Sequence, residues 1–119
     1  MSQTILFLLQ RNLDVFAEND PVRRRSMLDE SYTEDCVFYG PDGVHRGREA
    51  IHKVAGVLRT MHPDFKYQPI AEPDVTGDSG RIRWVEGRPG DAPAVAGTDF
   101  IIVREGHIAA IYLFFDKLP

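Results

Sequence analysis

Asp99 is a carboxylate set in the run Ala94-Val95-Ala96-Gly97-Thr98-Asp99-Phe100-Ile101-Ile102-Val103, whose composition otherwise reads as a buried strand. A carboxylate among that much apolar surface is costly unless it is neutral, hydrogen-bonded, or turned to a pocket that water or a ligand reaches. Two readings stand side by side: a residue that pins backbone near a strand end, and an acid facing a pocket. Asn12 is a second polar group at a core-facing angle. At 100° per residue, Ile5, Leu8, Leu9, Asn12, Leu13 and Phe16 form one stripe of an amphipathic helix over residues 4–18. A buried amide wants partners, so Asn12 is either bonded to strand backbone or shares a pocket with Asp99. His62 falls near the C-terminal end of a helical segment, on its apolar face, where the helix dipole favours the imidazolium. It is a candidate base or a helix-end residue.

Other chemistries find little support. The histidines His45, His52, His62 and His107 form no His-x-x-x-His pair on one helix, so no metal site is expected. No serine sits in a Gly-x-Ser-x-Gly elbow, and Cys36, the one cysteine, has no base beside it and no disulfide partner. Gly40-Pro41-Asp42-Gly43 reads as a turn, not a phosphate loop. No cofactor is expected. The net charge of −4 does not favour phosphate-rich partners, and Arg23 to Arg25 fan over roughly 200° of a helix, a solvated face rather than a nucleic-acid stripe. Ile5 to Leu9 is too short for a membrane span and lacks the flanking charge and cleavage site of a signal peptide, which makes a cytoplasmic protein the default expectation.

The elements that must position these side chains fit one domain of 119 residues, with 43% hydrophobic and 27% charged residues. Asp20-Pro21 is an N-cap followed by proline at the first helical position, which predicts a helix from Pro21 to Ser31. Cys36 to Tyr39 is a short strand. A third helix runs from Gly47 to Met61, with Ile51, Val54, Ala55 and Leu58 on one face and Pro63 beyond its end. The period then changes to two. Strands are predicted over Phe65–Ala71, Arg81–Glu86, Ala94–Arg104 and His107–Asp116, with turns at Gly77–Gly80 and Glu105-Gly106 and a loop from Gly87 to Pro93. Helices first and a meander last imply an α+β domain with helices packed on one face of a sheet. The last strand is apolar on both sides: Ala109, Ile111, Leu113 and Phe115 on one, Ile108, Ala110, Tyr112 and Phe114 on the other. One side meets the helices, and the other calls for a second subunit.

The chain resembles the SnoaL-like proteins of the nuclear-transport-factor-2-like superfamily, relatives of polyketide cyclases and ketosteroid isomerases. The residues that carry the resemblance are Glu18-Asn19-Asp20-Pro21 with Arg24, Tyr32-Thr33-Glu34-Asp35, Gly47-Arg48-Glu49-Ala50-Ile51, Trp84, Gly97-Thr98-Asp99-Phe100, then Gly106, Ile108 and Phe114-Phe115-Asp116. It implies a cone: a curved mixed sheet wrapped around three N-terminal helices, with an apolar pocket inside and a homodimer through the outer sheet face. It also implies roles. In ketosteroid isomerases an aspartate kept protonated by its apolar site donates to the substrate oxyanion, and Asp99 occupies the matching place. The helix-1 tyrosine of those enzymes is matched by Asn12, an amide that donates less acidically than a phenol. Their general base is matched by Gly40, with Tyr39 before it, so the same machinery is not reproduced. SnoaL cyclases pair a carboxylate with a histidine that is unassigned here. The Arg-x-Asp pattern of limonene epoxide hydrolases is absent, since Gly97 precedes Asp99 by two.

Two functions follow as expectations. The first is a cofactor-free isomerase, cyclase or lyase acting on a small apolar carbonyl compound, with Asp99 hydrogen-bonding the developing enolate oxygen, Asn12 or a tyrosine assisting, and His62, Asp116 or Tyr39 as the proton acceptor. Phe16, Tyr39, Leu58, Trp84, Ile101, Ile111 and Phe115 would line its pocket. The second is a non-catalytic small-molecule-binding protein or a dimeric interaction module, in which the same apolar residues are simply core.

Overall fold

The computed structural model describes residues 2–119. Helix α1 (Ser2–Ala17) is followed by α2 (Pro21–Ser31), the strands β1 (Tyr32–Gly40) and β2 (Gly43–Arg46), and helix α3 (Gly47–Met61). The remaining chain is strand: β3 (Lys66–Pro69), β4 (Asp74–Thr76), β5 (Ser79–Gly87), β6 (Val95–Arg104) and β7 (His107–Phe115). The predicted α2 start is realised as read, with the Asp20 carboxylate accepting from Val22 N at 3.0 Å and Pro21 opening the helix. The seven strands form one curved, unclosed mixed sheet in the order β2-β1-β7-β6-β5-β3, with β4 also paired to β5. The β1/β7 pairing is parallel and the others are antiparallel. The Glu105-Gly106 turn closes the β6/β7 hairpin with positive φ at both residues (52° and 78°), the two-residue geometry that suits twisted strands.

The helices cover the concave face of the sheet, and the core lies between them. Ile5 and Leu9 of α1 seat over Gly80 of β5, where an added Cβ would come within 2.7 Å of Ile5, so glycine there sets how closely helix and sheet approach. The structure corrects the sequence reading in four places. The first strand begins at Tyr32 rather than Cys36, because exposed Glu34 and Asp35 interrupt its apolar pattern. Strands β2 and β4 were not expected; each is short and polar and is held by a hairpin to a stronger neighbour. The predicted strand Phe65–Ala71 is shorter, Lys66–Pro69, and its proline lies on a sheet-edge strand. Finally, Ile108 does not share a face with Ala110, Tyr112 and Phe114. Ile102 pairs with Ala110 but Val103 pairs with Ile108, so Ala109 is left over as a bulge that turns Ile108 into the core.

Candidate functional site

Between α1, the end of α3 and the concave face of the sheet lies a cavity of about 240 Å³. Its inner end is formed by Asn12, Asp99 and Trp84, its walls by Leu13, Phe16, Phe38, Ile111 and Leu113, and its mouth by Leu58, Met61 and Phe115. Burial sets this order: Asp99 is only 6% exposed, whereas Met61 and Phe115 are 62% and 61% exposed.

A polar relay ends at Asp99. The Tyr32 hydroxyl donates to Asn12 Oδ1, and Asn12 Nδ2 donates to Asp99 Oδ2 at 2.9 Å. The phenol therefore fixes the orientation of the amide, and the amide fixes the carboxyl. Burial holds the Tyr32 hydroxyl well above its ordinary value, so it remains a neutral donor. Burial also pushes the Asp99 carboxyl up to about 7; the nearby Trp84 indole and the Asn12 amide offset this in part, and the charge of Glu86 adds to it. Trp84 reaches this position because Gly97 lies opposite it across β5/β6. A Cβ at residue 97 would sit 2.5 Å from the indole ring. The Trp84 Nε1–H is buried and makes no hydrogen bond of proper geometry, although it is close enough to Asp99 to favour the carboxylate.

A second polar group meets the cavity from β3 and β5. Glu86 shares the inward side of β5 with Ile82 and Trp84, and Tyr67 is its direct cross-strand partner. Burial raises the Glu86 carboxyl, while the Tyr67 hydroxyl and the charges of Arg59 and His62 favour its ionised form. Tyr67 also packs edge-on to Trp84, with ring centroids 5.0 Å apart. Arg59 is buried and satisfied by neutral acceptors: Asn19 Oδ1 at 2.9 Å, Phe65 O at 3.1 Å and Pro63 O at 2.7 Å. Those bonds pin the segment leaving α3, where the His62 and Phe65 rings stack with centroids 4.1 Å apart and both face the cavity.

Of the residues singled out from sequence, Asn12, Asp99, His62, Phe16, Leu58, Trp84, Ile111 and Phe115 all border this cavity. Two do not. Tyr39 lies on the opposite face of the sheet, stacked on Tyr112 with centroids 4.5 Å apart, because strand alternation puts its neighbour Phe38 inward. Ile101 is fully buried core instead of cavity wall, since it pairs with Gly80, the site α1 covers. Asp116 also stays outside the cavity and accepts from Thr98 Oγ1 at 2.6 Å. Sequence reasoning missed Tyr67 and Glu86. The available signal was parity: Glu86 lies two residues from Trp84 on one strand, yet with Arg81 and Arg83 it reads as part of a solvated face.

The relatives agree with this architecture. Residues 9–111 match the family model of the SnoaL-like domain. No functionally curated protein matches the sequence. A provisionally named isomerase of the SnoaL-like family from Agrobacterium tumefaciens superposes with a TM-score of 0.90 at 24% identity, covering 97% of this chain and 99% of that one. A provisionally named polyketide cyclase from Sinorhizobium meliloti gives 0.74 at 21% identity, with 96% and 99% covered. An NTF2-like protein of unknown function from Mesorhizobium loti gives 0.73 at 26% identity, with 98% and 93% covered. The family model, matching residues 9–111, places this chain in the SnoaL-like domain family, and its fold is the NTF2-like cone.

Proposed function

We propose that the protein is a cofactor-free isomerase, cyclase or lyase acting on a small apolar carbonyl compound, with Asp99 as its neutral hydrogen-bond donor. The observation that carries this reading is the Asp99 carboxyl, nearly inaccessible yet forming part of the cavity wall and held by Asn12 through Oδ2. With Oδ2 engaged, Oδ1 holds the proton and presents it to the substrate carbonyl. When a base removes the proton from the adjacent carbon, the C–H electron pair moves into a carbon–carbon double bond and the carbonyl pair moves onto oxygen. Asp99 stabilises that oxyanion. A donor of this kind contributes on the order of 3 kcal/mol, roughly a hundredfold or more in rate. The enolate then takes a proton elsewhere, attacks a second carbonyl, or expels a leaving group, which are the three reaction classes named.

Direct titration of Asp99 tests this. Carboxyl-carbon NMR on the ¹³C-labelled protein is expected to show a midpoint of about 7, moving upward when a phenol that mimics the enolate is bound. A midpoint near the ordinary aspartate value of about 4 overturns the mechanism.

One observation favours a second reading, ligand binding without chemistry: β1 contributes Phe38 to the cavity and no carboxylate, in line with Gly40 at the position of the isomerase base. A protein that binds phenols tightly and leaves the hydrogens next to every ketone unexchanged would fit this reading and not the first. We propose also that a second copy of the chain covers the convex face, where Phe114 is 58% exposed and Tyr39, Phe100 and Tyr112 form an aromatic cluster.

A further inference from the structure

The proposal above leaves the proton acceptor unassigned. Among the residues bordering the cavity the groups able to take a proton are Glu86, His62, Tyr67 and Asp99 itself. Asp99 is committed as the donor. Tyr67 is held well above its ordinary value by burial, with Glu86 and Asp99 nearby adding to the effect, so it keeps its proton. His62 stacks face-on against Phe65 at the mouth. Glu86 remains. It sits on β5, four residues along the strand from Ile82, the partner of Asp99, so the two backbone positions are about 13 Å apart along the strand. Both side chains rise from the concave face into one chamber, and Glu86 is close enough for its charge to raise the Asp99 carboxyl.

We propose that Glu86 is the general base that works against Asp99, and that the pair acts on a compact one- or two-ring ketone. This rests on the enolate reading of the site. The two carboxyls differ by surroundings. Asp99 lies at the closed end against Trp84 and Asn12. Glu86 lies nearer the mouth with the Tyr67 hydroxyl across from it on β3, the Arg59 guanidinium and the His62 ring at the α3 end, and Asp99 from β6. Burial raises both carboxyls; what separates them is that the Tyr67 hydroxyl and the Arg59 charge favour the Glu86 carboxylate, while the charge of Glu86 raises Asp99 further, and that difference divides the pair into base and acid. The substrate's carbonyl oxygen would point inward to Asp99, and the C–H that breaks would face Glu86, which takes the proton as the electron pair shifts toward oxygen. Arg59 is a positioning residue in this scheme. Fixed by three neutral acceptors, it neutralises no carboxylate by direct contact and leaves Glu86 free to act. Size sets the substrate class. A dry protein cavity of about 150 Å³ admits benzene. The present one is about 240 Å³, room for a second ring or a short substituent.

The test uses 2-tetralone as the ketone, with α-hydrogen exchange in D₂O followed by NMR, and 2-naphthol as the enolate mimic, with binding read by quenching of Trp84, the one tryptophan. The wild-type protein is expected to accelerate exchange, rising with pH as Glu86 ionises and falling above about pH 7 as Asp99 loses its proton. Glu86→Gln is expected to lower exchange by about a hundredfold or more while changing naphthol affinity less than about threefold, and to lose the acidic limb of the profile. Glu86→Asp, with the carboxylate kept, is expected to recover part of the rate, which covers the case in which the glutamine variant folds poorly. Exchange that survives Glu86→Gln but is lost in Asp99→Asn overturns the assignment of Glu86 and leaves the enolate reading intact. A wild-type protein that binds naphthol and exchanges nothing overturns both.

Discussion

The unfolded chain releases the Asp99 proton near 3.8, whereas the folded chain keeps it up to about 7. Between those values the folded state binds the additional proton, so stability falls as pH rises and levels off above about 7. The full difference is ~4 kcal/mol at 1.36 kcal/mol per pH unit. Asp99→Asn keeps the shape and lacks the titration. Its stability relative to wild type, measured by urea unfolding from about pH 4 to pH 8.5, is therefore expected to improve steadily with pH up to about 7. A pH-independent difference would mean that the carboxyl is ionised throughout. A site that stores this cost is characteristic of function rather than packing. Asp99 and Asn12 were legible because each interrupts an apolar period at a core angle. Glu86 was not, because Arg81, Arg83 and Glu86 look alike in sequence and only strand alternation turns one of them inward.

The elements hold this chemistry in place through a few close approaches. Gly97 is the tightest: the indole of Trp84 occupies the volume a side chain would need, and that ring forms one side of the Asp99 environment. Gly97→Ala is expected to destabilise the protein by about 1–3 kcal/mol through overpacking, and to shift Trp84 emission as the ring moves. Thermal melting and fluorescence measure the two effects, and a variant unchanged in both would show that the ring has room to spare. The same logic applies at the end of α3, where Arg59 pins the backbone that carries His62 and Phe65. Helix limits were readable from caps and proline, as at Asp20-Pro21. The bulge at Ala109 was not, since no local residue choice marks it and it arises from the register of two strands.

For the molecule as a whole, the proposed dimer makes a separate prediction. Light scattering on the eluting protein is expected to give twice the 13.5 kDa chain mass, and Phe114→Glu to give a single chain with its naphthol binding retained. A wild-type protein that elutes as one chain would leave the aromatic convex face unexplained by self-association. The three helices and the longer strands in their order, the α+β class and the two polar residues deepest in the site were written in the linear chain, since periodicity, caps and misplaced polar groups are local signals, whereas the short strands β2 and β4 were not. Which of Phe38 and Tyr39 faces inward, that Ile101 is core while Asp99 borders the cavity, and that Glu86 shares a chamber with Asp99 depended on strand pairing and on where α1 comes to rest. Those are contacts between distant segments, and a one-residue difference in register exchanges one face of a strand for the other.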